Sequence, residues 1–211
     1  MSCVVLKDIS KSFGPKTVFS HFNLTVSEGE FVALVGPSGC GKTTLLNMIG
    51  LLEKPESGDI VISGVKNPRL ASKEGRQLLR TQISYMFQNY GLVERMSVSD
   101  NLRIATRFLK LRKKEERQKI EEVLDRVGLE GYEKTKIFQL SGGEQQRVAV
   151  AKIMLKPSRL ILADEPTGSL DPKNRDHIMS LLKQFNQEGK TVIVVTHDPE
   201  VVKCAQRSEK L

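Results

Sequence analysis

Apolar positions along this chain fall into runs of two kinds. Continuous runs at 30–35, Ile83–Phe87, 159–163 and 190–196 predict core strands. Partly alternating, β-branched stretches at 3–9 and 18–27 predict two further strands, and Ile60–Ile62 a short one. Turns are expected at Ser10–Pro15, at Glu28-Gly29 and around Pro55, Gly58 and Asp59. Helical patterns cover Thr43 to about Gly50, 72–80, 99–109, 112–127, 141–155, 173–188 and 198–206. The charges of 112–127 form the solvated face of an amphipathic helix, with pairs such as Glu115–Lys119 along it. The runs at 159–163 and 190–196, separated by one helix, predict a parallel crossover. The small strands at the front predict an antiparallel lobe beside the core. The class is therefore α/β.

One stretch gives this pattern a chemistry. The strand at 30–35 runs into Gly36-Pro37-Ser38-Gly39-Cys40-Gly41-Lys42-Thr43-Thr44, and a helix comes next. Strand, Gly-rich turn and helix is the context in which GxxxxGK[ST] forms a phosphate loop. Its glycines let backbone N–H groups converge on anionic oxygens, and the helix adds its positive end. Lys42 is placed to reach the β- and γ-phosphates of a nucleoside triphosphate, and the Thr43 hydroxyl to ligate Mg²⁺. The fold class is thus a P-loop NTPase core, a mainly parallel sheet flanked by helices.

Composition narrows the remainder. The 211 residues fit one domain and can bury roughly 70% of the unfolded surface. The formal net charge of +8 favours polyanionic or lipid-headgroup partners without choosing between them. No zinc-finger spacing, arginine-rich tail or aromatic ribonucleoprotein stretch supports nucleic-acid binding, so none is expected. Three scattered cysteines, Cys3, Cys40 and Cys204, suit a reducing compartment. No secretory signal is visible, and no apolar run approaches the ~20 residues of a transmembrane helix. Any membrane role must be carried by a partner.

Two further motifs complete the chemistry. Leu160–Ala163 ends in Asp164 and Glu165, at the carboxyl edge of a parallel sheet, where ligands collect. Asp164 suits the Mg²⁺ shell and Glu165 suits polarising a water that attacks the γ-phosphate. Leu140-Ser141-Gly142-Gly143-Glu144-Gln145-Gln146-Arg147 opens with a capping box, Ser141 with Glu144, so a helix begins there. Ser141, Gly142 and Gly143 offer a hydroxyl and N–H groups at a positive helix end, a second anion site. One triphosphate cradle and one spare anion site in a single chain invite a head-to-tail pair.

With these motifs the chain resembles the ATP-binding subunits of ABC transporters over residues 3–205, and Leu140–Arg147 resembles the family's signature sequence. It is most similar to the branch serving lipoprotein release, macrolide-type export and bacteriocin or antimicrobial-peptide export. The resemblance implies the ABC ATPase fold: a single domain over 1–211, with nucleotide-binding core and antiparallel β lobe in 1–87 and 157–211. Residues 88–156 would form an inserted helical lobe carrying the signature. It implies ATP and Mg²⁺ as ligands, a homodimer on ATP binding, and coupling to an integral membrane permease. Phe13 matches the ring that stacks on adenine. Gln88, ending its strand, matches the glutamine that joins the Mg²⁺ and water shell and senses the permease. Ser169-Leu170-Asp171 matches the loop crossing the dimer interface, and His197 the histidine that contacts the γ-phosphate and holds Glu165. The segment Asn89–Asn101, with Tyr90, Leu92 and Met96, would form much of the permease groove, so that docking falls near residues 88–101. The implied location is cytoplasmic, peripheral on the inner face of the cell membrane through the permease.

The sequence departs from the family pattern twice. Cys40 stands where a serine is frequent, and Gln206 where the tail strand usually starts with an acid. The tail after Cys204 predicts a minimal closing strand or a thin edge of the antiparallel lobe. Cargo touches the permease, so the substrate is not written in this chain. Other uses of the same motifs are a cell-division ATPase signalling through a membrane partner, or a soluble ATPase in DNA maintenance or translation. The long coiled-coil insertion or the second cassette that those soluble ATPases carry is not seen here. A small-molecule kinase would have no need of Leu140–Arg147.

Overall fold

The computed structural model describes residues 1–168 and 170–211. Along the chain come β1 (Ser2–Phe13), β2 (Lys16–Ser27), β3 (Phe31–Val35), α1 (Lys42–Ile49), β4 (Ser57–Ile62) and β5 (Val65–Lys66). Next are α2 (Lys73–Thr81), β6 (Ile83–Met86), α3 (Val98–Thr106), α4 (Lys113–Arg126) and, after a 3₁₀ turn at Ile137–Gln139, α5 (Gly142–Met154). The chain closes with β7 (Leu160–Asp164), α6 (Pro172–Gln187), β8 (Thr191–Val195), α7 (Pro199–Val202) and β9 (Arg207–Lys210).

Two sheets form. One is parallel, in the order β6-β7-β8-β3-β9; the other is antiparallel, in the order β2-β1-β4-β5. The continuous apolar runs are explained by the parallel sheet being covered on both faces. Successive residues point opposite ways: Phe31, Ala33, Ile161, Ala163, Val192 and Val194 enter the core shared with α3–α6. Val32, Leu34, Leu160, Leu162, Ile193 and Val195 enter the other, shared with α1 and the antiparallel sheet. The α/β class, the parallel core, the antiparallel lobe and the β7-α6-β8 crossover all agree with the sequence.

Several boundaries do not. Ser10–Phe13 is strand rather than turn, because Lys11, Ser12 and Phe13 pair with Phe19, Thr17 and Lys16 across bulges, leaving only Gly14-Pro15 to turn. The strand expected to run to Gln88 ends at Met86, and Gln88 lies in the turn beyond it. The last helix is a single turn, Pro199–Val202, not 198–206. The tail then forms the four-residue β9, the minimal closing strand expected; it pairs with β3 and edges the parallel sheet, so the alternative, a thin edge on the antiparallel lobe, is not the outcome. Gln206 does what an acid would do there: its Oε1 accepts from the Phe31 N–H at 2.9 Å. Its own N–H donates to the Phe31 carbonyl at 2.9 Å.

Candidate active site

The parallel sheet delivers β3, β7 and β8 side by side, so the segments leaving their carboxyl ends meet at one edge. After β3 comes the phosphate loop. Gly41 is left-handed at φ 103°, and a Cβ there would sit 2.2 Å from Val18 Cγ1 and 2.9 Å from the Phe19 ring, so only glycine fits. Helix α1 opens on Gly41 with no side-chain cap and no acid in its first turn. Its first N–H groups are left for an anion. Lys42 is buried, and its Nζ donates to the carbonyls of Gly36 at 2.8 Å and Pro37 at 3.0 Å. The ammonium is thereby held over the loop it would serve.

After β7 come the two acids. Asp164 is buried at the strand end and accepts from the Thr43 hydroxyl at 3.1 Å, across 121 residues of chain. Burial pushes its carboxyl above the ordinary value, Glu165 adds to the rise, and Thr43 and Lys42 oppose it. Glu165 adopts a left-handed backbone, φ 46°, which a non-glycine residue seldom holds. After β8, His197 Nδ1 lies 2.8 Å from Glu165 Oε1. The other oxygen, Oε2, is buried and has no hydrogen-bond partner among the described residues. An unsatisfied buried acceptor costs roughly 1–3 kcal/mol, so something donated to Oε2 would be held well.

A cleft of about 350 Å³ runs from Phe13 past Gly39, Gly41, Lys42, Thr43 and Thr44 to Gln88 and Glu165. A second, of about 220 Å³, continues from Ser38, Gln88 and Glu165 to Gln146, Leu170 and His197. Phe13 is 48% exposed at the rim, with Lys11 Nζ 4.8 Å from its ring centroid, so an aromatic ligand could lie against it. Lys16, which no sequence motif marks, also lines the cleft, and its Nζ donates to the Gly39 carbonyl at 3.1 Å. An uncapped helix start, a lysine, a hydroxyl paired with a carboxylate and an orphaned acceptor fit a triphosphate with Mg²⁺.

Of the signature residues only Gln146 reaches the second cleft: neither cleft is walled by Ser141, Gly142, Gly143 or Asp171. Ser141 caps α5, its hydroxyl donating to Glu144 Oε2 at 2.8 Å while its N–H donates to the same oxygen at 2.7 Å. Asp171 caps α6 by accepting from the Asn174 N–H at 3.1 Å. Arg147 Nη1 donates to Asn174 Oδ1 at 2.6 Å, and a Cβ on Gly143 would lie 2.9 Å from that amide. Arg147 and Asn174 thus tie α5 to α6. Gln146 is buried and donates to the Pro166 carbonyl at 2.6 Å, tying α5 to the turn after Glu165. The signature string contains Gln146 and Arg147, but nothing in it names their partners. Ser169 lies outside the described residues.

A family model described as ABC transporter matches residues 19–168. The chain belongs to that family. This ABC transporter chain is 42% identical over 211 residues to the uncharacterized ABC transporter ATP-binding protein YvrO of Bacillus subtilis strain 168, covering 97% of this chain and 91% of that one. It is 38% identical over 208 residues to the macrolide export ATP-binding/permease protein MacB of Escherichia coli, covering 97% of this chain. It spans 32% of that relative's length. Among solved structures it is similar to the dimeric structure of MJ0796, a bacterial ABC transporter cassette, at TM-score 0.91 and 39% identity, covering 99% of this chain and 94% of that one. A post-hydrolysis state of the same cassette, bound to ADP and Pi, matches at TM-score 0.89, 38% identity and the same 99% and 94% coverage. The ABC transporter chain is an ATPase that uses ATP with Mg²⁺.

Proposed function

We propose that two copies of this chain close head to tail over two ATP molecules and that hydrolysis there drives a separate membrane permease. The permease would be an exporter of peptide, lipoprotein or antimicrobial substrates. The observation that carries this reading is the separation of two anion-binding helix starts. The cleft contains the start of α1 but not Ser141–Gly143, so the wall over the γ-phosphate has to come from another copy. In this reading the chain is one domain, with the core in 1–87 and 157–211 and the signature lobe in 88–156. Among the described residues no helix is long and apolar enough to cross a membrane. Attachment at the inner membrane face would therefore run through the permease, docked near residues 88–101.

Each site residue takes a role in that dimer. Phe13 stacks on adenine. The backbone of Gly36–Thr44, with Pro37, Ser38, Gly39, Cys40 and Gly41, surrounds the phosphates, and Lys42 neutralises the β- and γ-oxygens. Thr43, Asp164 and Gln88 would hold Mg²⁺, which offsets negative charge on the phosphates when bound. Glu165 Oε2 takes the proton of a water whose oxygen bonds to the γ-phosphorus. The γ-phosphorus to oxygen bond breaks, and the electron pair leaves on the β-phosphate of ADP. His197 fixes Glu165 through Oε1 and approaches the γ-phosphate. Ser141, Gly142, Gly143 and Asp171 face the nucleotide of the other copy.

Glu165→Gln tests the assignment, because the amide retains shape but cannot take a proton. ATP turnover should fall by about 10²–10⁴-fold. The variant should elute as an ATP-bound dimer in size-exclusion chromatography. Normal phosphate release, or an ATP-loaded monomer, would remove the role given to Glu165 or to the dimer respectively.

A further inference from the structure

The hairpin that carries the exposed ring of Phe13 carries a cation beside it. Strands β1 and β2 are joined by Gly14-Pro15 alone, and Phe13 and Lys16 are the last pair across that turn. Residues directly opposite each other in an antiparallel pair present their side chains on the same face. A ring and an ammonium therefore leave the hairpin tip together, and both line the cleft that contains the phosphate loop. From there Lys16 spans to the loop itself. Its Nζ donates to the Gly39 carbonyl at 3.1 Å and lies 3.7 Å from where a Gly39 Cβ would stand. Lys16 is exposed and forms no ion pair among the described residues. An ammonium has three N–H groups, and one neutral carbonyl uses one of them. Two donors and a whole positive charge remain for the cleft. Lys42, the other cation there, is buried and held at the entrance of the loop by the Gly36 and Pro37 carbonyls. The two lysines thus grip the loop at different points, one at its start and one at its middle.

We propose that Lys16 is a nucleotide-binding residue whose ammonium pairs with the α,β-diphosphate that ATP and ADP share. Its placement rests on the reading of Phe13 given above. With the base on Phe13 and the γ-phosphate near Glu165, the cross-strand neighbour of Phe13 meets the stretch of nucleotide between them. That stretch is the diphosphate, and Nζ already stands at the loop that cradles it. A phosphate oxygen is a better partner than Gly39, because a bond between two charged groups is roughly twice as strong as a neutral one. Lys16 brings this charge without the cost of burying it, since it is exposed before the nucleotide arrives. The contact is made equally to ATP before hydrolysis and to ADP after it. It therefore holds nucleotide without lowering the barrier, a role complementary to that of Glu165.

Calorimetry on the full chain, with Mg²⁺-ADP and with the Mg²⁺ complex of a non-hydrolysable ATP analogue, tests this alongside steady-state kinetics. Lys16→Gln removes the charge but keeps an N–H donor for Gly39. Both affinities should fall about tenfold, the effect of one hydrogen bond to a charged group. KM for ATP should rise by a similar factor while kcat stays within about twofold. The gap to wild type should narrow as salt rises from about 0.05 M to about 0.5 M, because the pair is reached by solvent ions. Lys16→Arg, which keeps the charge, should recover most of the lost affinity. Unchanged ADP affinity in Lys16→Gln would overturn the proposal. So would a loss confined to the ATP analogue, which would move the cation to the γ-phosphate. Equal losses in both variants, independent of salt and with a lowered melting temperature of the nucleotide-free chain, would reduce Lys16 to a brace for the loop. Phe13→Ala is read separately: normal affinities there, beside lowered ones in Lys16→Gln, would remove the base contact and leave the diphosphate contact standing.

Discussion

Two helix starts in this chain use the same ingredients and end in opposite electrostatic states. Helix α1 begins after glycines with no side-chain cap and no acid in its first turn, so its amides are open to an outside anion. Helix α5 also begins with glycines, yet Ser141 and Glu144 satisfy each other and place a carboxylate at the positive end. The first is a finished anion site once ATP arrives. In the second, the Ser141 hydroxyl and N–H are already paired with the Glu144 carboxylate of its own chain. Glycine, too, has a different reason in each place. Gly41 is required by Val18 and Phe19 beneath the loop, and Gly143 by Asn174 on the next helix.

That contrast breaks first where it is strongest. Gly41→Ala forces a left-handed alanine into a 2.2 Å contact, and backbone strain alone costs about 1–3 kcal/mol. ATP affinity by calorimetry should fall at least about hundredfold, roughly 2.7 kcal/mol, with the circular dichroism of the fold retained. Gly143→Ala should do the reverse: ATP affinity within twofold, but turnover down by about tenfold, because the methyl displaces Asn174 and with it Asp171 and Arg147. Adding Asn174→Ala should restore part of that turnover in a double-mutant cycle. If Gly143→Ala abolished ATP binding instead, the two helix starts would not be separable sites.

The same difference explains what could be read from the sequence. The phosphate loop, the two acids and the signature are local strings, each trailing a strand or opening a helix, so position along the chain places them. The core strands declare themselves because covering on both faces demands unbroken aliphatic runs, as in Leu160–Ala163 and Val192–Val195. Ser10–Phe13 reads as a turn because serine, lysine and the Gly-Pro after them mimic one; only pairing with β2 shows it to be strand. Strand β9 has the sequence RSEK and no apolar signal at all. It exists because β3 offers an open edge and Glu30 accepts from Arg207 Nε at 2.8 Å. The links Arg147–Asn174, Gln146–Pro166 and Lys16–Gly39 join segments far apart in sequence. No window of the chain contains them.

A smaller effect sharpens the capped state of α5. Ser141→Ala removes one cap and should cost about 1 kcal/mol. For a chain of this size that lowers the melting temperature by roughly 2–4 °C. The partner acid adds a pH dependence. Hydrogen bonds from the Ser141 N–H, then from its hydroxyl, hold the Glu144 carboxyl below its ordinary 4.5. A depressed carboxyl stabilises the fold above its unfolded value and loses that contribution as pH falls through the folded one. Glu144→Gln should therefore flatten the melting curve only on the acid side of about 4.5, and leave it parallel to wild type near neutrality.

The smallest expected effect falls inside the cradle, at Cys40. Its Sγ lies 4.0 Å from Lys42 Nζ and 2.8 Å from where a Gly36 Cβ would stand, so the thiol is packed within the loop. The loop grips phosphate with backbone N–H groups, which a change from sulfur to oxygen leaves in place. Cys40→Ser should therefore keep kcat/KM within twofold. A bulky adduct is another matter, because it would fill the space beside Lys42. N-ethylmaleimide should thus block ATP binding to the wild type and spare Cys40→Ser, in which Cys3 and Cys204 remain to report any effect of their own. Full activity in a wild-type chain shown by mass spectrometry to carry the adduct on Cys40 would mean the thiol points out of the cradle. A large loss in unmodified Cys40→Ser would mean the side chain, and not only the backbone, holds the nucleotide. Either result would move the difference between the two helix starts from which groups are free to which groups are polar.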